Sequence, residues 1–112
     1  MNMQAVLIAT LAGTVAQVAM VVAGHYSPGV AKFFAVGGMG LSLLAGLLYA
    51  ALSHGGLVEG AFHGAVAGGV CALIGIGVSR ALGDVPTSLL LLGTISSIVT
   101  GAIGGAIGRL VF

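Results

Sequence analysis

Ionic side chains are nearly absent from this chain, and where they are missing is not random. Four stretches, 3–23, 30–52, 57–79 and 87–111, contain between them only Lys32, Glu59, His63 and Arg109 as charged or histidine residues. Each stretch meets or approaches the roughly 20 apolar residues that carry a helix across hydrocarbon. Charged residues make up 4% of the 112, against roughly 25% in an ordinary soluble domain. That is too little charge to cover a water-facing surface, and a soluble chain of this length would leave much of its apolar area exposed to aggregate. The expectation is an all-α integral membrane protein, one helical domain over residues 1–112 with about four antiparallel glycine-rich spans. A net charge of +1 forms no basic patch, which removes the electrostatic basis for nucleic-acid binding.

The connections agree with this segmentation. Gly24-His25-Tyr26-Ser27-Pro28 and Gly83-Asp84-Val85-Pro86-Thr87 each place a glycine where a helix can stop and a proline where the next can begin. Ser53-His54-Gly55-Gly56 has no proline, but its glycines can supply the backbone angles of a reversal. Short turns make consecutive helices antiparallel neighbours. The two halves also resemble one another: Leu11-Ala12-Gly13-Thr14-Val15 can be laid on Val66-Ala67-Gly68-Gly69-Val70, and with a three-residue gap Pro28 then falls on Pro86 and Gly46 on Gly104. Duplication of a hairpin and the small alphabet of membrane helices both account for this.

Small residues recur at helical spacing. Gly60, Gly64, Gly68 and Ala72 form one row, and Gly93, Ser97, Gly101 and Gly105 another. Gly37 adds to the second span and Gly13 to the first. Rows without side chains let helix backbones approach closely, a main source of association in lipid. Gly13, Gly37, Gly60, Gly64, Gly68, Gly93, Gly101 and Gly105 are therefore the expected helix-packing positions. Their abundance exceeds what one bundle of four helices needs, which points to a homo-oligomer or polymer, with membrane lipid and other membrane subunits as further partners.

Ionisable groups inside spans are costly and often functional. Glu59 and His63 lie one turn apart, His54 just precedes them, and antiparallel threading brings Arg109 to the same membrane side. His54, Glu59, His63 and Arg109 thus form a candidate polar cluster or proton relay. The plainer reading is a glutamate favoured by the dipole in its helix's first turn and paired with Arg109 or His63 near the interface. The spacing lacks the further ligand that a metal site requires, so no metal and no cofactor is expected. Gln17 is an isolated polar group whose default partner is a neighbouring helix. Tyr26, Phe33 and Phe34 read as interfacial anchors. Cys71, the single cysteine, reads as a small core residue. Lys32 and Arg80 share one membrane side and Arg109 takes the other, which leans both termini outside.

The stretch Ser27-Pro28-Gly29-Val30-Ala31-Lys32-Phe33-Phe34-Ala35-Val36-Gly37-Gly38, the Gly55-Gly56 turn and Gly64-Ala65-Val66-Ala67-Gly68-Gly69 resemble the hairpin of conjugative pilins of type IV secretion systems. The resemblance spans Ser27 to Gly83. It implies a self-assembling structural subunit that forms a helical homopolymer with bound lipid, in the cell membrane or a surface filament, with no catalytic residue. Two other classes fit the residues: a small homo-oligomeric ion or solute channel or transporter, favoured by Glu59, His63 and Gln17, and a holin-like pore former. No serine, cysteine or carboxylate has a base at usable spacing, so no enzyme is expected.

Overall fold

The computed structural model describes residues 3–112, the side chains of Ala31 and Ala35 aside. Those residues form α1 (Met3–Tyr26), α2 (Pro28–Ala31), α3 (Phe34–Leu52), α4 (Leu57–Ala81) and α5 (Thr87–Val111), with no strand among them. By length and composition α1, α4 and α5 are long and apolar enough to cross a membrane, whereas the apolar run of α3, Val36–Leu52, is shorter.

Local chemistry sets these boundaries. Pro28 is the first residue of α2, where its missing N–H costs nothing. Pro86 sits just before α5, and its carbonyl accepts from the Leu89 N–H at 3.1 Å. α4 ends in a Schellman arrangement: Asp84 N–H donates to Ser79 O at 3.0 Å and Gly83 N–H to Arg80 O at 2.9 Å. Gly83 there has φ of +82°, a left-handed backbone that a side chain would strain. In the middle turn only Gly55 takes a positive φ, and Gly56 has φ of −80°.

The second span, expected as one helix over 30–52, is broken. The chain turns at Lys32–Phe33, where Phe33 adopts φ −104° and ψ 14° and its N–H bonds Val30 O at 3.0 Å. The break lays the Phe34 ring over Gly24 of α1, where any side chain would collide with it. Phe34 is thus an interhelical packing residue, and exposed Tyr26 and Phe33 are left as the aromatic pair at this end.

Helices of this length run about 36 Å, matching the long dimension of a molecule 40 × 21 × 21 Å across. α5 packs on α3 and α4, and α1 packs on the same two. The interior is built of small residues, among them Ala5, Ala9, Ala45, Ala67, Cys71 and Ala72, while Leu7, Leu11, Val15, Leu91, Ile95 and Leu110 face outward. Water would not tolerate that distribution, and lipid favours it.

Glycine makes the packing this close. A Cβ on Gly64 would stand 2.9 Å from the Gly105 Cα, and one on Gly68 would stand 2.8 Å from the Gly101 Cα. Gly60 faces the Gly105 carbonyl and the Arg109 side chain. On the other flank of α5, Gly46 meets Gly101 and Gly105, Gly104 meets the Leu43 carbonyl and Gly108 meets Ala50. Gly13 touches Cys71 and Ala45, Gly37 touches Met20, and Gly93 touches Ile76. Every glycine expected to pack helices therefore has a neighbour inside the same chain.

Candidate functional site

Polar groups gather in three places along the bundle. At the end holding the α3–α4 turn, Arg109 reaches from α5 across the C-terminus of α3. Its guanidinium donates to Ala50 O at 3.0 Å, to Ser53 O at 2.8 Å and to Ser53 Oγ at 2.8 Å. The last carbonyls of a helix have no partner within it, so Arg109 supplies from another helix the cap that α3 lacks. The same guanidinium pairs with Glu59 Oε2, and Tyr49 OH donates to Glu59 Oε1. His63 Nδ1 lies 3.1 Å from Glu59 Oε1 and 2.9 Å from the Glu59 carbonyl. The Tyr49 ring stacks against His63 at 5.5 Å and under Arg109 at 5.7 Å.

Of the four residues expected here, Glu59, His63 and Arg109 come together, and His54 stands exposed in the turn outside the cluster. Tyr49 and Ser53 complete it, and neither was singled out from the sequence. Their signal was present in spacing: Tyr49 and Ser53 are one turn apart, and Ser53 Oγ donates to Tyr49 O at 2.8 Å. Among the described residues no group of three His, Cys, Asp or Glu could hold a metal ion.

Midway along the bundle, Gln17 of α1 is 1% exposed. Its Nε2 donates to Gly38 O at 3.0 Å and to Ser42 Oγ at 3.3 Å, and Ser42 Oγ donates in turn to Gly68 O at 3.3 Å. One amide thus joins α1, α3 and α4. Cys71 is fully buried beside it.

Above Gln17 a cavity of about 550 Å³ opens toward the α1–α2 and α4–α5 turns. Met20, Met39, Ile76, Leu89 and Leu92 form much of its wall, Gln17 and Ser97 lie at its floor, and Lys32 and Asp84 flank its mouth. Along α5 the lining runs eight positions, from Leu89 to Ser97, a depth of about 12 Å at helical rise. Below that floor Gly101, Gly104 and Gly105 bring α5 against the backbones of α3 and α4. The candidate relay and the cavity are therefore at opposite ends. Outside the cavity mouth, His25 Nδ1 bonds Asp84 Oδ2 at 2.8 Å and Arg80 Nε donates to Thr87 Oγ1 at 2.6 Å.

No family model, curated protein or solved structure matches the chain.

Proposed function

We propose that this is an integral membrane protein of four spans whose cavity receives a small solute on its way through or into the bundle, as in a channel or transporter. The carrying observation is the cavity itself, open at the Lys32 and Asp84 end and floored by Gln17 and Ser97. α3 serves as the fourth span: its 19 residues reach about 28 Å, close to a hydrocarbon thickness of about 30 Å. Arg109 is tied to Glu59 and to α3 carbonyls, so it counts little as a free cation, and Lys32 and Arg80 are left to set orientation. By the positive-inside tendency this favours a cytoplasmic cavity mouth and both termini outside. No catalytic role is assigned.

Self-assembly remains the second reading, and one feature favours it. Ala16, Gly37, Gly40, Leu41 and Leu44 line a shallow apolar groove on the α1–α3 face, and a Cβ on Gly40 would meet nothing within 4 Å. A second copy or a lipid chain fits such a surface. The argument from surplus smooth faces is weaker than the sequence suggests, because the glycine rows are occupied within one chain.

Uptake of small organic solutes into proteoliposomes tests the first reading, with Ser96→Phe filling the cavity as control. Flux above empty liposomes that Ser96→Phe abolishes is expected. Flux equal to empty liposomes, with filaments seen by electron microscopy of the same material, would replace conduction with assembly.

A further inference from the structure

We infer that the cavity takes an anionic amphiphile, a small monocarboxylate with an apolar body, which names the substrate class of the conducting site proposed above and rests on that reading. Its volume of about 550 Å³ lies within the usual range for small-molecule sites, roughly 300–1,000 Å³. Most of the wall is thioether and aliphatic, from Met20, Met39, Ile76 and Leu92. Such a surface favours an apolar body.

Two observations assign the head. Ser79 lines the cavity, is 1% exposed, and its Oγ has no hydrogen-bond partner. A buried hydroxyl left unpaired is unfavourable, and serines in helices commonly bond the preceding turn. This one does not, so a ligand acceptor would satisfy it. The second observation is the distribution of charge at the mouth. Asp84 is held by His25 and Arg80 by Thr87, whereas the Lys32 ammonium has no ion-pair or hydrogen-bonded acceptor among the described residues. Lys32 and Arg80 against Asp84 leave this end with an excess cation, while Glu59 and Arg109 cancel at the other. A carboxylate offers acceptors to both the Lys32 ammonium and the Ser79 hydroxyl, and the end's charge draws it in.

The test uses probes of one chain length and three head charges: octanoate, 1-octanol and octylammonium. Binding is measured to the full chain in nanodiscs of phosphatidylcholine, with Ser96→Phe setting the background from partition into lipid and Leu89→Trp as a second filled variant. Octanoate should bind above background, 1-octanol several-fold more weakly and octylammonium not at all. Lys32→Gln should weaken octanoate about five-fold and leave 1-octanol unchanged, and Ser79→Ala should weaken both. Octylammonium binding as well as octanoate, or octanoate indifferent to Lys32→Gln, would overturn the inference. Displacement of octanoate by added phosphatidylglycerol would identify the anion as a lipid headgroup; no displacement would identify a free acid. Octanoate bound without any flux would end the conduction reading and keep the site, whereas flux of neutral solutes without octanoate binding would do the reverse.

Discussion

Gly64→Ala is the sharpest probe of how this bundle is held together. Its new methyl carbon would stand 2.5 Å from the Gly101 O, 2.9 Å from the Gly105 Cα and 3.1 Å from the Gly105 N, where carbon atoms ordinarily rest about 3.5–4.0 Å apart. All three obstructing atoms are backbone, so no rotamer change relieves the clash and α4 must move from α5 by about 0.6 Å or more. A gap of that size forfeits roughly a quarter to a half of the dispersion attraction of each contact it opens, and overpacking of this kind costs about 1–3 kcal/mol. Alanine also gains about 0.5–1 kcal/mol over glycine from helix propensity, which partly masks the loss.

Gly77→Ala removes the ambiguity. Gly77 lies in the same helix, and a Cβ there meets nothing within 4 Å, so it keeps the propensity gain without the clash. The difference between the two variants isolates the packing term, about 2 kcal/mol or roughly thirty-fold in the unfolding equilibrium. Cys71 is the chain's only cysteine and is 0% exposed, which makes it a built-in reporter. Maleimide labelling across an SDS titration should show Gly64→Ala opening at distinctly lower SDS than Gly77→Ala. Coincident labelling curves would mean that the α4–α5 backbone contact contributes nothing, and the packing argument would fall with it.

Arg109→Gln should destabilise more than Glu59→Gln in the same assay. The first strips three bonds from the end of α3 and leaves Glu59 facing only Tyr49 and His63, about 3 kcal/mol or more; the second leaves the cap intact and costs about 1–2 kcal/mol. The opposite order would refute the capping role. Gln17→Leu should cost about 0.5–2 kcal/mol and much less in a Ser42→Ala background, because the two share a bond; additive effects in a double-mutant cycle would deny that coupling. Gly83→Ala should cost about 1–2 kcal/mol from its left-handed φ, and a thermal midpoint equal to wild type, followed by circular dichroism, would contradict the Schellman cap.

Helix ends were legible because glycine, proline and charge act locally. Gly83 stops α4 through its own backbone angle, and Pro28 opens α2 through its own ring. The all-helical class followed from charge depletion for the same reason, since hydropathy sums over neighbours in sequence. The break at Lys32–Phe33 was not legible, because the contact that goes with it, the Phe34 ring on Gly24, is made with another helix. Tyr49 lies within an apolar run and Ser53 opens a turn, and their role depends on an arginine more than fifty residues away. His54 is near Glu59 along the chain, but a turn residue need not share the face of the helix it precedes, and His54 is exposed. The cavity had no sequence signal, since an unfilled space is a property of how four helices splay.

That splay has a physical origin in how each helix is attached. α5 meets α3 and α4 backbone to backbone, through Gly101, Gly104 and Gly105 against Gly46, Leu43, Gly64 and Gly68. Contacts of that kind have no rotamers to exchange, so α3, α4 and α5 behave as one packed unit. α1 is attached differently, by the Gln17 amide, by Gly13 on the Cys71 side chain and by the Phe34 ring over Gly24. Side chains can repack where backbones cannot, and the cavity lies along this side-chain seam, with Gln17, Met20, Val21 and Gly24 of α1 as one of its walls. If the chain conducts as proposed, opening the cavity toward the far side falls to α1, with Gln17 as its latch. Gln17→Leu should accelerate Cys71 labelling in lipid without SDS, whereas Gly64→Ala, which loosens the opposite seam, should raise labelling only as the whole bundle melts. Equal acceleration by both would show that the four helices move as one.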